Sequence, residues 1–356
     1  MGRAAALTEL ASLFLRLGAT AFGGPAAHIA LMEDEVVRRR GWIDRDEFLD
    51  LLGATNLIPG PNSTELAIHI GRRRAGWAGL LVAGVCFILP AALATTALAW
   101  GYVRFGGLPR VGSVLGGVKA VMIAVVAQAL WGLGKTALRS PAMVALAVMA
   151  AGAGFLGVHE LLILLIAGLL ASGVRGARGA SAAAIVPLPL LFLTFTKIGS
   201  VLFGSGYVLL AFLRADLVQR WHWLTEQQLL DAVAAGQITP GPLFSTSTFA
   251  GYLIAGGSGA LVATVGIFLP AFVFVAASGP LIPRLRRSPV AGAFLDGVNA
   301  ASLALMAVVT WQLGRAAIVD VPTAALALGS AVLLVRYRVN SLWLVLGGAV
   351  LGLLVL

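Results

Sequence analysis

Apolar residues run along this chain in long blocks broken by short polar stretches. The first half carries them at about 7–32, 48–70, 77–100, 112–133, 141–157 and 160–174. The second half carries them at about 190–212, 229–254, 259–279, 291–313, 322–335 and 341–356. Blocks this long and this apolar predict helices solvated by lipid, although the last two of each half are short for a span. Residues 172–186 begin with a run of Gly, Ala and Arg and read as a linker. The chain therefore divides into an N-terminal repeat over 1–171, the linker, and a C-terminal repeat over 187–356.

The halves say nearly the same thing. Phe22-Gly23-Gly24-Pro25 recurs as Phe203-Gly204-Ser205-Gly206, and Pro59-Gly60-Pro61 as Pro240-Gly241-Pro242. Both pairs share one offset, from 22 to 203 and from 59 to 240. Further on, Leu115-Gly116-Gly117-Val118-Lys119-Ala120 matches Leu295-Asp296-Gly297-Val298-Asn299-Ala300, and Trp131 matches Trp311. The repeated elements are helix breakers inside apolar segments. In a duplicated membrane chain that combination points to a transporter whose site lies where the helices break. Two prolines two residues apart remove two backbone donors, so a continuous helix through 59–61 is not expected. A broken or re-entrant helix is.

Composition narrows the class. Hydrophobic residues make up 59% of the chain and charged residues 11%, and the mean hydropathy is +0.96. The expected fold class is an all-α polytopic membrane protein of two homologous repeats. The formal net charge of +10 does not point to nucleic acid, because the bases fall in short loops between apolar segments. Membrane lipids are the expected surroundings, and a homo-oligomer is left open. Cys86 stands alone, which excludes an intrachain disulfide and a multi-cysteine metal site; no cofactor or metal is expected. Glu9 and Arg16 interrupt the first apolar run, so no signal peptide is expected.

The loop charges favour inverted repeats. If segment 48–70 re-enters, each half has an odd number of spans and the halves are inverted. Of the loop bases, 16 then fall on the cytoplasmic side. Six fall outside: Arg3, Arg104, Arg110, Arg214, Arg220 and Arg315. A parallel arrangement with a cytoplasmic N-terminus gives 9 inside and 13 outside. The reading places Arg72–Arg74 in a cytoplasmic loop and Gly256 outside.

Three bases fall within apolar segments: Arg16, Lys119 and Lys197. Arg16 and Lys197 are repeat mates, each six residues before its Phe-Gly motif. A shared role in holding an anion stands beside a simpler reading, in which both snorkel to the interface. Lys119 ranks below them because its mate is Asn299. The glycine breaks offer backbone amides and the positive ends of restarting helices, the ingredients of an anion site. Asn62, Ser63 and Thr64 in one half and Ser245 and Thr246 in the other add small donors; Phe244, Ser247 and Thr248 flank the second set. Close helix packing is the simpler role for the glycines.

Glu65, with Thr246 as its mate, is a candidate for a coupling proton if burial raises its pKa. As a helix cap it would form a capping box with Asn62. His69, near Arg72–Arg74, reads as interfacial. Glu33-Asp34-Glu35 to Arg38-Arg39-Arg40 reads as a solvated loop at the membrane surface. Trp131 and Trp311 read as interfacial anchors. An intramembrane enzyme is disfavoured, since no HExxH occurs and Gly204-Ser205-Gly206 lacks a His partner.

The Phe-Gly-Gly-Pro motif, the downstream Pro-Gly-Pro followed by Asn-Ser-Thr-Glu, and the duplication of both resemble the chromate transporter family, long-chain two-repeat type, over essentially the whole length. The resemblance implies a bacterial or archaeal inner-membrane protein that exports chromate from the cytoplasm, driven by the proton motive force, and confers chromate resistance. Sulfate is the natural structural analogue, and sulfate or molybdate transport is the alternative. The implied substrate site comprises Arg16, Phe22, Gly23, Gly24, Pro59, Gly60, Pro61, Asn62, Ser63, Thr64, Lys197, Phe203, Gly204, Ser205, Gly206, Pro240, Gly241, Pro242, Ser245 and Thr246, with Glu65 for coupling. The second half departs from the pattern with Gly204-Ser205-Gly206 in place of Gly23-Gly24-Pro25, so the repeats are not equivalent there.

Overall fold

The computed structural model describes residues 3–22, 24–106, 108–156, 158–172, 188–203, 208–278, 289–337, 339 and 341–355. Among them the regular structure is entirely helical. The first half holds α1 (Arg3–Thr20), α2 (Gly24–Glu33), a π-helical turn (Asp34–Arg39), α3 (Arg45–Thr55), α4 (Asn62–Phe105), α5 (Pro109–Ala137), α6 (Pro141–Phe155) and α7 (Glu160–Ser172). The second half holds α8 (Leu188–Val201), α9 (Leu209–Leu213), a π-helical turn (Arg214–Arg220), α10 (Glu226–Ile238), α11 (Thr246–Ser278), α12 (Pro289–Ala317), α13 (Val321–Arg336) and α14 (Ser341–Val355). The first apolar block, 7–32, is thus two helices parted at the Phe-Gly motif. The linker lies outside the described residues, apart from Ser172.

α4 cannot be one span. Its 44 residues would run about 66 Å as a straight helix, twice the hydrocarbon core. It folds back at Ala75 (φ −142°, ψ 22°) and Gly76 (φ 64°, ψ −145°). α11 repeats the device at Ala255 and Gly256 (φ 61°, ψ −150°). Positive φ at the turn costs a glycine little and any other residue more. The arms then lie antiparallel. A side chain on Gly71 would strike the Gly79 carbonyl, and one on Gly84 would come within 2.8 Å of Ile68. In α11, Gly251 meets Gly259 in the same way, and the hydroxyls of Thr248 and Thr264 are 2.7 Å apart. Small residues let backbones touch, as membrane helices require where no hydrophobic force joins them.

Two expectations change here. Arg72–Arg74 do not form a loop; they are the last helical turn before the fold-back. Polar residues at a hairpin tip mimic a loop in the sequence, and nothing in the hydropathy shows that the reversal takes two residues. Glu33–Arg40 is not a loop either, although Arg38, Arg39 and Arg40 are exposed. It is wound as α2 and a π-helical turn, with Glu35 buried. Arg16 Nη2 lies 2.7 Å from the Glu35 carboxylate and Arg40 Nε lies 3.2 Å away. Burial pushes the Glu35 carboxyl up, but these bonds and charges outweigh it and hold it below its ordinary value.

The described helices form two compact units. One gathers residues 1–99, 187–206 and 235–285, so it contains both Pro-Gly-Pro breaks and both hairpins. Its core includes Leu10, Phe14, Phe48, Leu66 and Phe87. Gly18 packs against the Phe87 carbonyl and Pro90; its mate Gly199 packs against Ile267 in the same way. In the same unit the tip of the first hairpin reaches the far end of α11, where Arg72 Nη1 donates to the carbonyls of Val275 (2.6 Å) and Ala276 (2.7 Å). Leu80 clusters with Ala271 and Val275, and Gly84 abuts Phe272. The other unit gathers 100–186, 207–234 and 286–356. There Gly117 of α5 meets Gly348 and Gly352 of α14 backbone to backbone. Trp131 and Trp311 are largely exposed, as lipid-facing rings would be.

The hairpins carry a stability prediction. Gly71→Leu and Gly251→Leu each place atoms where the opposing backbone stands, and each should lower the thermal unfolding midpoint in detergent sharply or prevent recovery of monodisperse protein. Gly76→Ala meets no atom within 4 Å, so it should lose only about 1 kcal/mol from the positive φ. Size-exclusion profiles after graded heating measure both.

Candidate functional site

Each Pro-Gly-Pro break uses its glycine for a backbone that no other residue adopts easily: φ is +141° at Gly60 and +90° at Gly241. The freed amides are then satisfied across the repeats. Gly60 N–H donates to the Leu202 carbonyl (2.8 Å), and Gly241 N–H donates to the Ala21 carbonyl (2.9 Å). Ala21 and Leu202 are themselves repeat mates, each immediately before its Phe-Gly motif. The two sequence motifs are therefore brought together crosswise, the Pro-Gly-Pro of one half against the Phe-Gly of the other. A Cβ on Gly241 would sit 2.9 Å from Ala91 and from the Gly18 carbonyl; one on Gly60 would strike the Glu65 carboxyl group.

The chain restarts as helix at once. Thr64 N–H (2.7 Å) and Glu65 N–H (3.0 Å) both donate to the Pro61 carbonyl, and Ser245 N–H donates to Pro242 (3.0 Å). In the first half the amides of Asn62 and Ser63 precede that first bond, so they lie at the positive end of the new helix. The side chains around the restarts are sealed from solvent. Thr64, Glu65, Ser245 and Ser247 are fully buried, and Ser63, Thr246 and Thr248 nearly so. Among the described residues, Thr64 Oγ1, both Glu65 carboxyl oxygens, Ser245 Oγ and Ser247 Oγ have no hydrogen-bond partner. Native interiors leave few such atoms, and five of them lie on the two repeat-related restarts.

Several expectations meet this geometry differently. The capping box of Asn62 and Glu65 does not form: the Asn62 amide donates to Asn56 Oδ1 (2.8 Å), and Glu65 points its carboxyl at Gly60 instead. Helix spacing permits the box, but the buried position turns the side chain inward. His69 is 6% exposed, with Nε2 unpartnered, because its helix lies inside the unit. Arg16 is half exposed and bound to Glu35. Lys197 lies half-buried on α8. Phe22, Gly24, Pro59, Phe203 and Pro240 are half-buried beside the breaks, and Pro61 and Pro242 are buried. Gly23, Gly204, Ser205 and Gly206 lie outside the described residues. Lys119, in the other unit, lies 2.9 Å from buried Asp231, whose other oxygen accepts from Tyr102 (2.9 Å).

Sequence reasoning missed His28. It stands three residues beyond Pro25, on α2, 1% exposed. Its ring joins the Ala21 carbonyl (Nε2, 3.1 Å) to Ser63 Oγ (Nδ1, 3.3 Å). Its repeat mate is Leu209, so a search for residues shared by both halves passes over it. Its place beside a Phe-Gly motif is the signal that could have found it.

No solved structure matches the chain. The family model described as Chromate transporter matches residues 8–172 and again 190–353, the same two repeats the sequence shows. The chain is 35% identical to the chromate transport protein of Cupriavidus metallidurans over 98% of this chain and 92% of that one. It is 31% identical to the probable chromate transport protein of Synechococcus elongatus over 89% of this chain and 87% of that one. An uncharacterized transporter of Methanocaldococcus jannaschii is 26% identical over 96% of this chain and 93% of that one. Two tandem matches spanning both repeats, on a helical membrane protein with crossed breaks, place the chain in the chromate transporter family.

Proposed function

We propose that the protein carries chromate, or a closely related oxyanion, out of the cytoplasm across the inner membrane as a secondary transporter coupled to the proton motive force. The observation that carries this reading is the crossed pair of breaks, with five buried, unpartnered polar atoms on the two restarts. A tetrahedral oxyanion needs several donors converging from different directions. Amides at Asn62 and Ser63 and hydroxyls at Ser63, Thr64, Ser245 and Thr246 can supply them without a metal. The similarity to chromate transport proteins supports the choice of anion. Lys197 belongs to the proposed site as a fixed charge. Arg16 contributes there when it leaves Glu35, and Phe22, Gly24 and Phe203 shape the backbone around it.

Glu65 is the proposed coupling group. Its carboxyl is sealed from solvent and bonded to no neighbour, the condition of a group that exchanges a proton rather than holding a structural bond. It lies against Gly60, so its protonation state is felt at the break. The repeats are proposed to be inverted in the membrane. Arg72, at the tip of the first hairpin, bonds Val275, which is 19 residues beyond the tip of the second at Gly256. That is about 29 Å along a helix, one hydrocarbon thickness. The contacts of Leu80 with Val275 and of Gly84 with Phe272 run antiparallel. Both facts support tips on opposite faces, as does the loop charge.

Three outcomes are expected. Cysteines placed at Ala75 and Gly257, in a Cys86→Ser background, should label from opposite sides of the membrane; labelling of both from one side contradicts the inverted arrangement. Gly60→Leu and Gly241→Leu should each abolish chromate flux in everted vesicles while the protein stays in the membrane, and normal flux in either would reduce that break to a packing device. Glu65→Gln should keep anion binding but lose the dependence of flux on the proton gradient, which vesicles with an imposed pH difference will show. Flux of sulfate or molybdate but not chromate in the wild type would reassign the substrate.

A further inference from the structure

His28 is buried in the same unit as the breaks and has a fixed hydrogen-bonding state. A carbonyl oxygen only accepts, so Nε2, 3.1 Å from Ala21 O, carries the ring proton. In the neutral ring Nδ1 is then bare and accepts, so Ser63, 3.3 Å away, donates its one hydroxyl proton to it. Phe87 holds the ring edge-on, with centroids 5.5 Å apart at 89°. The Ala21 carbonyl also receives Gly241 N–H, so the ring is anchored on the crossed bond itself. In this state Ser63, second residue of the restarting helix, has no hydrogen left to offer an anion.

We propose that His28 is a proton-binding, positioning residue of the oxyanion site. One proton taken from solvent onto Nδ1 reverses the bond, so that the ring donates to Ser63 Oγ. The Ser63 hydroxyl hydrogen is then released toward the anion, and a positive charge stands behind it. No covalent bond changes other than N–H; when the anion dissociates, Nδ1 gives its proton back to water and accepts from Ser63 again. A buried imidazolium is costly alone and a buried dianion more so; together they carry less net charge than the anion by itself, so each favours entry of the other.

Of the titratable groups on the surrounding elements, His28 is the one bonded to Ser63. On α1, Arg16 is tied to Glu35, and Glu33 ends α2. The first arm of α4 carries Glu65 and His69, with Arg72, Arg73 and Arg74 at its tip. The second arm presents Phe87 and no Lys, Arg, Asp or Glu before Arg104. The break at 239–245 has no ionisable side chain. This inference rests on the reading of the paired breaks as an anion site.

The test is titration calorimetry of chromate into purified full-length protein, in buffers of differing ionisation enthalpy at one pH, which counts protons taken up per anion. His28→Gln should still bind chromate, more weakly, and should take up about one proton fewer than wild type. Ser63→Ala should bind about tenfold more weakly and Ser63→Thr close to wild type. Unchanged proton uptake in His28→Gln, with chromate bound, overturns the inference. Should that variant not fold, nitrogen resonances of labelled histidine in wild type decide: chromate must convert one ring from the Nε2–H form to the doubly protonated form, and four unchanged rings overturn it. Failure of wild type to bind chromate or sulfate at all is a different result, one that removes the anion site itself.

Discussion

Two backbone hydrogen bonds, from Gly60 to Leu202 and from Gly241 to Ala21, tie the two repeats together within the unit that holds both breaks. A broken helix at membrane depth leaves amides that neither lipid nor a distant water can satisfy, at a cost of several kcal/mol each. Here each repeat satisfies the break of the other. The bonds are reciprocal, as a two-fold relation between equivalent elements requires. In this chain neither break is completed within its own repeat; each takes its partner carbonyl from the other.

Much else follows from that crossing. The hairpins at Ala75–Gly76 and Ala255–Gly256 fold short helices back against full ones, so the restarts sit inside the unit and not at its surface. Ala271 and Ala91, each directly after a proline at 270 or 90, come against Gly60 and Gly241 in turn. The polar groups near the restarts are small hydroxyls, the Asn62 amide, the Glu65 carboxyl and the His28 imidazole. The halves differ where it matters: Glu65 faces Thr246 in the alignment, and His28 faces Leu209. A symmetric frame thus carries unlike chemistry in its halves, a carboxyl and an imidazole in one against a hydroxyl and an alkyl side chain in the other.

The duplication, the apolar blocks and the position of both breaks were legible in the sequence because each is a local signal. Proline removes a donor wherever it stands, and hydropathy reports lipid exposure directly. The pairing of motifs was not legible. The repeat offset relates Gly60 to Gly241, whereas the contact runs from Gly60 to Leu202, which only three dimensions disclose. The π-helical turns at Asp34–Arg39 and Arg214–Arg220 have no residue signature, so Glu35 was read as a solvated acid when it is the buried partner of Arg16. His28 escaped because symmetry was the filter, and its chemistry belongs to one half only. The two-residue reversal after Arg74 escaped because three arginines and a glycine look like any short loop.

The central claim is that the crossed breaks of the two halves form one oxyanion site. It is tested most directly by placing a single cysteine at Ser63 or at Ser245, in a Cys86→Ser background, and following alkylation by a small thiol reagent as chromate is added. The account predicts that chromate protects both positions, each over the concentration range in which that variant binds it, and that sulfate does so at related concentrations. Protection of neither position, or of one without the other, would contradict it.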